Sequence, residues 1–168
     1  MSTDEVTEEQ VLAENHRTRD HIERVRHFLA WFCQHLHKRG VVHDQSKLEE
    51  PEVSGFVKAN MGQALRGSTY GSEEYKTRIR ELLGEALDHH YANNSHHPEF
   101  HDDGIDDMNL LDIVEMLMDW RAACERHKDG DIFKSIEINT KRFNMSPQLA
   151  SILRNTALMM EDDPETKQ

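Results

Sequence analysis

Apolar residues recur at helical spacing along most of this chain, and no segment alternates with a period of two over more than a few residues. Helical spacing gathers apolar side chains on one face of an α-helix. The pattern therefore predicts an all-α fold. Glycines, prolines and polar clusters divide it into helices over about residues 8–39, 53–65, 72–91, 108–128, 132–143 and 147–160.

The predicted helices are most simply parts of one domain. A chain of 168 residues is long enough to bury most of the surface that it exposes when unfolded. Polar and charged residues dominate segments 1–7 and 161–168, as is typical of frayed ends. We expect a single-domain helical bundle over residues 8–160.

Two of the predicted helices carry a histidine on their apolar face. His21 lies four residues before Val25 on the first helix, and His90 lies four residues after Ala86 on the helix that ends near residue 91. Both histidines are therefore predicted to point toward the core. The predicted core faces are Val25, Phe28, Leu29, Phe32 and Leu36 in the first helix, and Ile79, Leu82, Leu83, Ala86 and Leu87 in the other.

Half of the histidines are concentrated in two blocks. Twelve residues of the chain are histidine, and they include His43 in the segment 43–47 (His-Asp-Gln-Ser-Lys) and five in the segment 88–101. Imidazoles and carboxylates from separate helices form the ligand set of divalent transition-metal sites. The sequence therefore predicts a metal centre.

An acidic helix follows these blocks. Its predicted core face is Leu110, Leu111, Val114, Leu117, Met118 and Cys124, and the carboxylates of Asp112, Glu115 and Asp119 share the neighbouring face. We predict Asp119 as a metal ligand, with Asp112 or Glu115 either orienting ligand imidazoles or replacing Asp119.

Charge and composition exclude several classes of partner. The formal net charge of −12 disfavours duplex nucleic acid, because such binding requires Lys and Arg to neutralise phosphates. No apolar run approaches the ~20 residues of a membrane span, and the acidic N-terminus does not have the pattern of a signal peptide. Cys33 and Cys124 have no paired spacing, so we expect a reduced cytoplasmic protein.

The combination of His21, the His43-Asp44 doublet and a distant Asp119 resembles the HD-domain superfamily of metal-dependent phosphohydrolases. The resemblance implies that these four residues bind one divalent ion and that Lys47 meets an anionic group of the substrate. Further histidines resemble those of dinuclear HD subgroups. By that likeness His90 and His97 hold a second ion, with Asp44 bridging the two; His89, His96 and His101 are alternatives.

The full pattern is most similar to an uncharacterised HD-like family of unknown function in phages and bacteria. The likeness is carried by the His-Asp-x-Ser-Lys block, by the His-His-Tyr-x-Asn-Asn-x-His-His-Pro-Glu block over 89–99, and by the Met-Asn-Leu-Leu-Asp run over 108–112. It extends through the segment 135–139 to Asn155.

These features together predict a phosphohydrolase that acts on a small phosphorylated molecule, with a nucleotide expected. Mixed nitrogen and oxygen ligands favour one or two ions of Mn, Fe, Co, Ni or Zn. Arg121, Lys141 and Arg142 are candidate phosphate contacts. A dinuclear non-haem iron oxygenase and a non-catalytic, metal-stabilised module that binds a nucleotide or a partner are the alternatives, and a homo-oligomer is left open.

Overall fold

The computed structural model describes residues 6–61, 73–126 and 129–163. Over these ranges the chain forms six α-helices, joined by turns and short 3-10 helices, and it has no β-strand. The predicted all-α class is confirmed. Within the same ranges, none of the helices is both long and apolar enough to cross a membrane. The helices are α1 (Glu8–Val42), α2 (Glu52–Met61), α3 (Glu73–Asn93), α4 (Leu110–Glu125), α5 (Ile132–Arg142) and α6 (Pro147–Asp162).

Local sequence signals account for the starts of the last three helices. Asn109 and Asp112 form a reciprocal capping box at the start of α4, and Ser146 caps α6 with Pro147 in the first helical position. α1 does not stop at Gly40 as predicted but continues to Val42. The predicted boundaries at residues 65 and 72 lie outside the described residues.

The contacts group the chain into two compact units, Met1–Val41 and Val42–Gln168. The described part of the first unit is the helix α1, and none of its residues is buried. The predicted core face of this helix is therefore wrong, because a single helix has no second element in its unit against which to bury Val25, Phe28 or Leu29.

The core of the second unit lies between α4, α5 and α6. Met116 and Leu117 of α4 are almost fully buried, whereas the side chains of Leu110 and Met118 are exposed. The buried face of α4 is thus rotated from the predicted one, and Asp112, Glu115 and Asp119 lie along its flank. The core cluster consists of Ile105, Ile113, Met116, Leu117, Ile132, Ile136, Met145, Leu153 and Ala157.

A second, smaller contact joins α2 to α3. Gly55 of α2 lies so close to Ala86 of α3 that a β-carbon at position 55 would overlap the Ala86 methyl group. Gly55 follows Glu52 by about one helical turn, and Ala86 precedes His89 and His90 by the same interval. This close approach therefore sets the register between Glu52 and the two histidines.

Substituting Gly55 by Ala tests this packing. Alanine normally stabilises a helix relative to glycine, but at position 55 we expect a loss of about 1–3 kcal/mol in the free energy of unfolding, because the new methyl group overpacks the contact with Ala86. Denaturant unfolding followed by circular dichroism measures this loss. Gly40→Ala is the matched control, since a β-carbon there has no neighbour within 4 Å. Equal stability of the two variants would contradict the account.

Candidate metal centre

Three parts of the second unit bring imidazoles and carboxylates together. His43 and Asp44 lie in the turn that follows α1, and the backbone of Asp44 adopts the left-handed conformation (φ 55°, ψ 17°). The end of α3 and the turn after it supply further histidines, and the flank of α4 supplies carboxylates. The left-handed region is costly for most residues but is tolerated by aspartate. Three groups of these side chains could each hold a metal ion, and we call them the ligand groups. Their members are His43, Asp44, His90, His96, His97, Glu115 and Asp119.

The first group surrounds one oxygen of Asp44. The Oδ1 atom of Asp44 lies 3.6 Å from Nε2 of His90 and 3.6 Å from Nε2 of His96. Nε2 of His90 in turn lies 2.9 Å from Nε2 of His97. Three imidazole nitrogens and one carboxylate oxygen thus face a common point, a ligand set suited to a divalent transition metal.

The second group surrounds the other oxygen of Asp44. Nε2 of His43 lies 3.5 Å from Oδ2 of Asp44 and 3.6 Å from Oδ1 of Asp119. Asp44 therefore belongs to both groups and offers one oxygen to each. A carboxylate in this position can bridge two ions.

Two glutamates contact the imidazoles at Nδ1, the ring nitrogen that is not in the ligand contacts above. Oε1 of Glu115 accepts a hydrogen bond from Nδ1 of His43 at 2.8 Å and lies 3.2 Å from Nδ1 of His96. Because an ionised carboxylate can only accept, the Nδ1 atoms carry protons where they face Glu115, and the Nε2 atoms are turned toward the other ligands. Glu115 was predicted as a residue of this kind.

Glu52 does the same for the end of α3, and it is completely buried. Its carboxylate accepts from Nδ1 of His89 at 2.7 Å and from Nδ1 of His90 at 2.9 Å. Burial alone would raise the pKa of Glu52, but the hydrogen bonds from His89, Ser46 and His90 outweigh it and lower the pKa. Glu52 is therefore an ionised buried carboxylate that orients His90.

Two buried atoms at the centre have no hydrogen-bond partner among the described residues. They are Oδ1 of Asp44 and Nε2 of His96, which face each other at 3.6 Å. An unsatisfied buried polar group costs about 1–3 kcal/mol, and two facing acceptors cannot satisfy each other. A cation between them satisfies both, so the residues present fit a metal ion.

The histidines on the two sides of Asp44 differ in their pKa values. Close contacts with the carboxylates of Asp119 and Glu115 raise the pKa of His43 to about 10, against the opposing effect of burial. Burial lowers the pKa of His97, with the neighbouring His96 and His90 adding to the effect. Burial also lowers the pKa of His90. The His43 side therefore attracts positive charge, while His90 and His97 are neutral, as metal binding requires.

Lys47 lies beside this centre, in the short 3-10 helix Gln45–Leu48. Its Nζ atom lies 2.5 Å from Oδ2 of Asp44 and 5.4 Å from the centre of the Phe56 ring. About a third of the side chain is exposed. Lys47 thus presents a fixed positive charge at the solvent side of the ligand groups.

His21 belongs to the first unit. It lies on α1 with an exposed side chain, so the prediction that it points into a core is wrong. The ligand groups contain residues of the second unit alone.

The predicted phosphate contacts are ion-paired. Arg121 pairs with Glu125 at 3.1 Å and with Glu161 at 3.3 Å, and the exposed Lys141 pairs with Glu137 at 2.9 Å. Their role in substrate binding stays a prediction.

Arg142 lies nearer to the ligands. It donates to Glu99 at 2.6 Å and to the hydroxyl of Tyr91 at 3.3 Å. The ring of Tyr91 packs against the ring of His97, with 5.0 Å between their centres. Arg142 thus contacts a residue that touches a candidate ligand.

The residues that the sequence left as alternative metal ligands differ in their contacts. His96 belongs to the ligand groups together with His97, whereas Nε2 of His101 donates to the backbone oxygen of Ser95 at 2.8 Å. Asp112 accepts from Oγ of Ser95 at 2.8 Å and from the backbone of Asn109, so it fixes the turn before His96. Sequence reasoning missed Glu52. A glutamate in the first turn of a helix is normally interpreted as a complement to the helix dipole.

Glu52→Gln tests the orienting role. The variant keeps the volume of the side chain but removes the negative charge of the carboxylate that accepts hydrogen bonds from both imidazoles. We therefore expect metal affinity to fall about 10–100-fold. Competition with a chromogenic chelator for Zn²⁺ measures the affinity. Glu49→Gln, at an exposed position of the same turn, is the matched control. Equal affinities for the two variants would remove Glu52 from the metal centre.

Comparison with known proteins identifies a family. A model of a family of unknown function (DUF5662) matches residues 10–159. No curated protein and no solved structure matches the chain. The matched segment contains every residue of the three ligand groups. The chain belongs to the family of unknown function DUF5662.

Proposed function

We propose that this protein is a metal-dependent phosphohydrolase that acts on a small phosphorylated molecule. One observation carries the proposal: the partly buried carboxylate of Asp44 lies between two groups of ligand atoms, with the amine of Lys47 against one of its oxygens. The first feature supports two divalent ions close together. The second supports an anionic substrate at the same place.

The residues that would hold the two ions form two sets, and Asp44 belongs to both. His90, His96 and His97 with Oδ1 of Asp44 would hold one ion, and His43 and Asp119 with Oδ2 would hold the other. When bound, such ions lower the pKa of a coordinated water toward neutrality and polarise a phosphoryl oxygen. Glu52 and Glu115 keep the imidazoles of His90 and His43 turned inward.

Lys47 is the residue that we assign to the substrate. Phosphoester hydrolysis develops negative charge on the phosphoryl group, and a positioned cation stabilises that charge. The contacts of Lys47 with Asp44 and Phe56 restrict its amine to the edge of the ligand groups, and its exposure leaves the amine accessible to a substrate from solvent.

The substrate that we propose is small, and a nucleotide is the first class to examine. A net charge of −12 disfavours a polyanionic polymer, whereas bound divalent ions reverse the sign of the potential locally. Arg142, beside Tyr91 and His97, is the candidate for a second contact to the substrate. The resemblance of the His43-Asp44 doublet to the HD-domain superfamily supports the same reaction class.

A second candidate is a dinuclear non-haem iron oxygenase on the same scaffold. The observation in its favour is the number of imidazoles, because His43, His90, His96 and His97 all belong to the ligand groups. Mixed imidazole and carboxylate ligands suit iron. The position of Lys47 makes the hydrolase our first proposal.

Hydrolysis of phosphoesters in the presence of Mn²⁺ tests the proposal directly. We expect the wild-type protein to release product from bis-p-nitrophenyl phosphate or from a nucleotide, and Asp44→Asn to lose at least about 100-fold of kcat/KM, because it weakens both ligand groups at once. Asp88→Asn, at an exposed position of α3, is the control. Metal-loaded wild-type protein that hydrolyses no phosphoester would contradict the proposal, and oxygen consumption by the iron-loaded protein would favour the second candidate.

Lys47→Ala separates substrate binding from metal binding. We expect kcat to fall about 10²–10³-fold while the metal content is unchanged, because the amine stabilises charge on the substrate and is not a ligand. Steady-state kinetics with elemental analysis of the same sample measure both. Lys58→Ala, on the exposed side of α2, should behave as wild type. Full activity in Lys47→Ala would remove this residue from the mechanism.

A further inference from the structure

The first unit carries an apolar pattern that the metal centre does not use. α1 extends over 35 residues, about 50 Å at about 1.5 Å per residue, and none of its residues is buried. Helices in water gain most of their stability from packing an apolar face. A helix of this length with large exposed apolar side chains is therefore expected to have a packing partner.

Five apolar residues of α1 follow a heptad repeat. From Ile22 they alternate at spacings of three and four residues, through Val25, Leu29 and Phe32 to Leu36. With Ile22 at position a, these five residues fill every a and d position of the segment. The side chains of Ile22 and Leu29 are 48% and 60% exposed. Such a seam is typical of helices that pair with a similar helix.

We propose that α1 pairs with α1 of a second copy of this chain in a parallel, in-register coiled coil. Asn15 falls at an a position of the same repeat, and one polar residue of this kind in a seam specifies register in paired helices. In a parallel pair, Asn15 meets Asn15 of the partner copy, so the two amides can hydrogen-bond to each other.

Charges on either side of Asn15 agree with the parallel arrangement. Glu14 falls at position g and Arg19 at position e of the next heptad, which are the positions that meet across a parallel pair. Each pair of chains would form this contact twice. Further along, Phe28 at g meets Cys33 at e, which widens the apolar seam. His27 falls at position f, away from the seam.

The size of the contact requires pairing along most of the helix. Stable, specific interfaces bury roughly 1,200–2,000 Å² in total. A contact at one tip of a helix is too small for this, whereas a seam that continues from Val11 to Leu36 follows nearly the whole of α1. The metal-ligand groups belong to the second unit, so pairing through α1 is independent of the proposed reaction.

The oligomeric state of the full chain tests the pairing. We expect light scattering coupled to size exclusion to give the mass of a dimer at micromolar concentration, and Leu29→Glu to give the mass of a monomer with unchanged metal content. His27→Glu introduces the same charge at position f and should remain dimeric. A monomeric wild-type protein, or a dimer that persists in Leu29→Glu, would overturn the proposal.

A cysteine cross-link tests orientation and register. In a parallel, in-register pair, Thr18 at position d lies opposite Thr18 of the partner copy, within disulfide reach. We expect Thr18→Cys, in a Cys33→Ser, Cys124→Ser background, to form covalent dimers on mild oxidation. Asp20→Cys in the same background, at position f, should not. Equal cross-linking at the two positions would contradict the parallel arrangement.

Discussion

The carboxylate of Asp44 is the group on which the candidate site depends. Its two oxygens face different sets of imidazoles, and Oδ1 is buried opposite the lone pair of His96 with no hydrogen-bond partner among the described residues. The amine of Lys47 contacts Oδ2 and offsets part of the charge there. Oδ1 is a buried acceptor that faces imidazole nitrogens, and a buried polar atom without a partner is unfavourable. The electrostatics of the second unit therefore favour a bound metal.

The surrounding structure keeps these ligands in place. Glu115 on α4 and Glu52 on α2 accept hydrogen bonds from the outer nitrogens of the imidazoles, so rotation of a ligand ring would break a charge-assisted bond. The close contact of Gly55 with Ala86 sets the position of Glu52 along α3, beside His89 and His90. Asp112 fixes the turn that carries His96. The packing of α2, α3 and α4 thus determines where the Nε2 atoms point.

The sequence predicted the helices well, because their spacing and caps are local signals. It also predicted that His90 points toward the core, since that residue continues the face of Leu83 and Ala86. All three side chains are buried. It did not predict the buried face of α4. Apolar residues occupy nearly all sides of that helix, so periodicity alone did not distinguish Leu110 from Ile113.

The remaining differences arise from tertiary contacts. His96 and His97 are neighbours in a turn without periodicity, and only the fold shows that both belong to the ligand groups. Glu52 follows a proline at a helix start, and its burial depends on the approach of α3. His21 shares the apolar face of α1, but α1 is a single helix in its unit, and a face predicted to be buried is exposed there.

The most direct test of the central claim is the number of metal ions that the protein retains. Elemental analysis of full-length protein, purified without a histidine tag, loaded with Mn²⁺ or Fe²⁺ and desalted, should give two ions per chain for the wild type. The Asp44→Asn variant should retain fewer, because one residue serves both ligand groups. Wild-type protein that retains no ion after loading, or an Asp44→Asn variant with unchanged content, would contradict a metal centre built around Asp44.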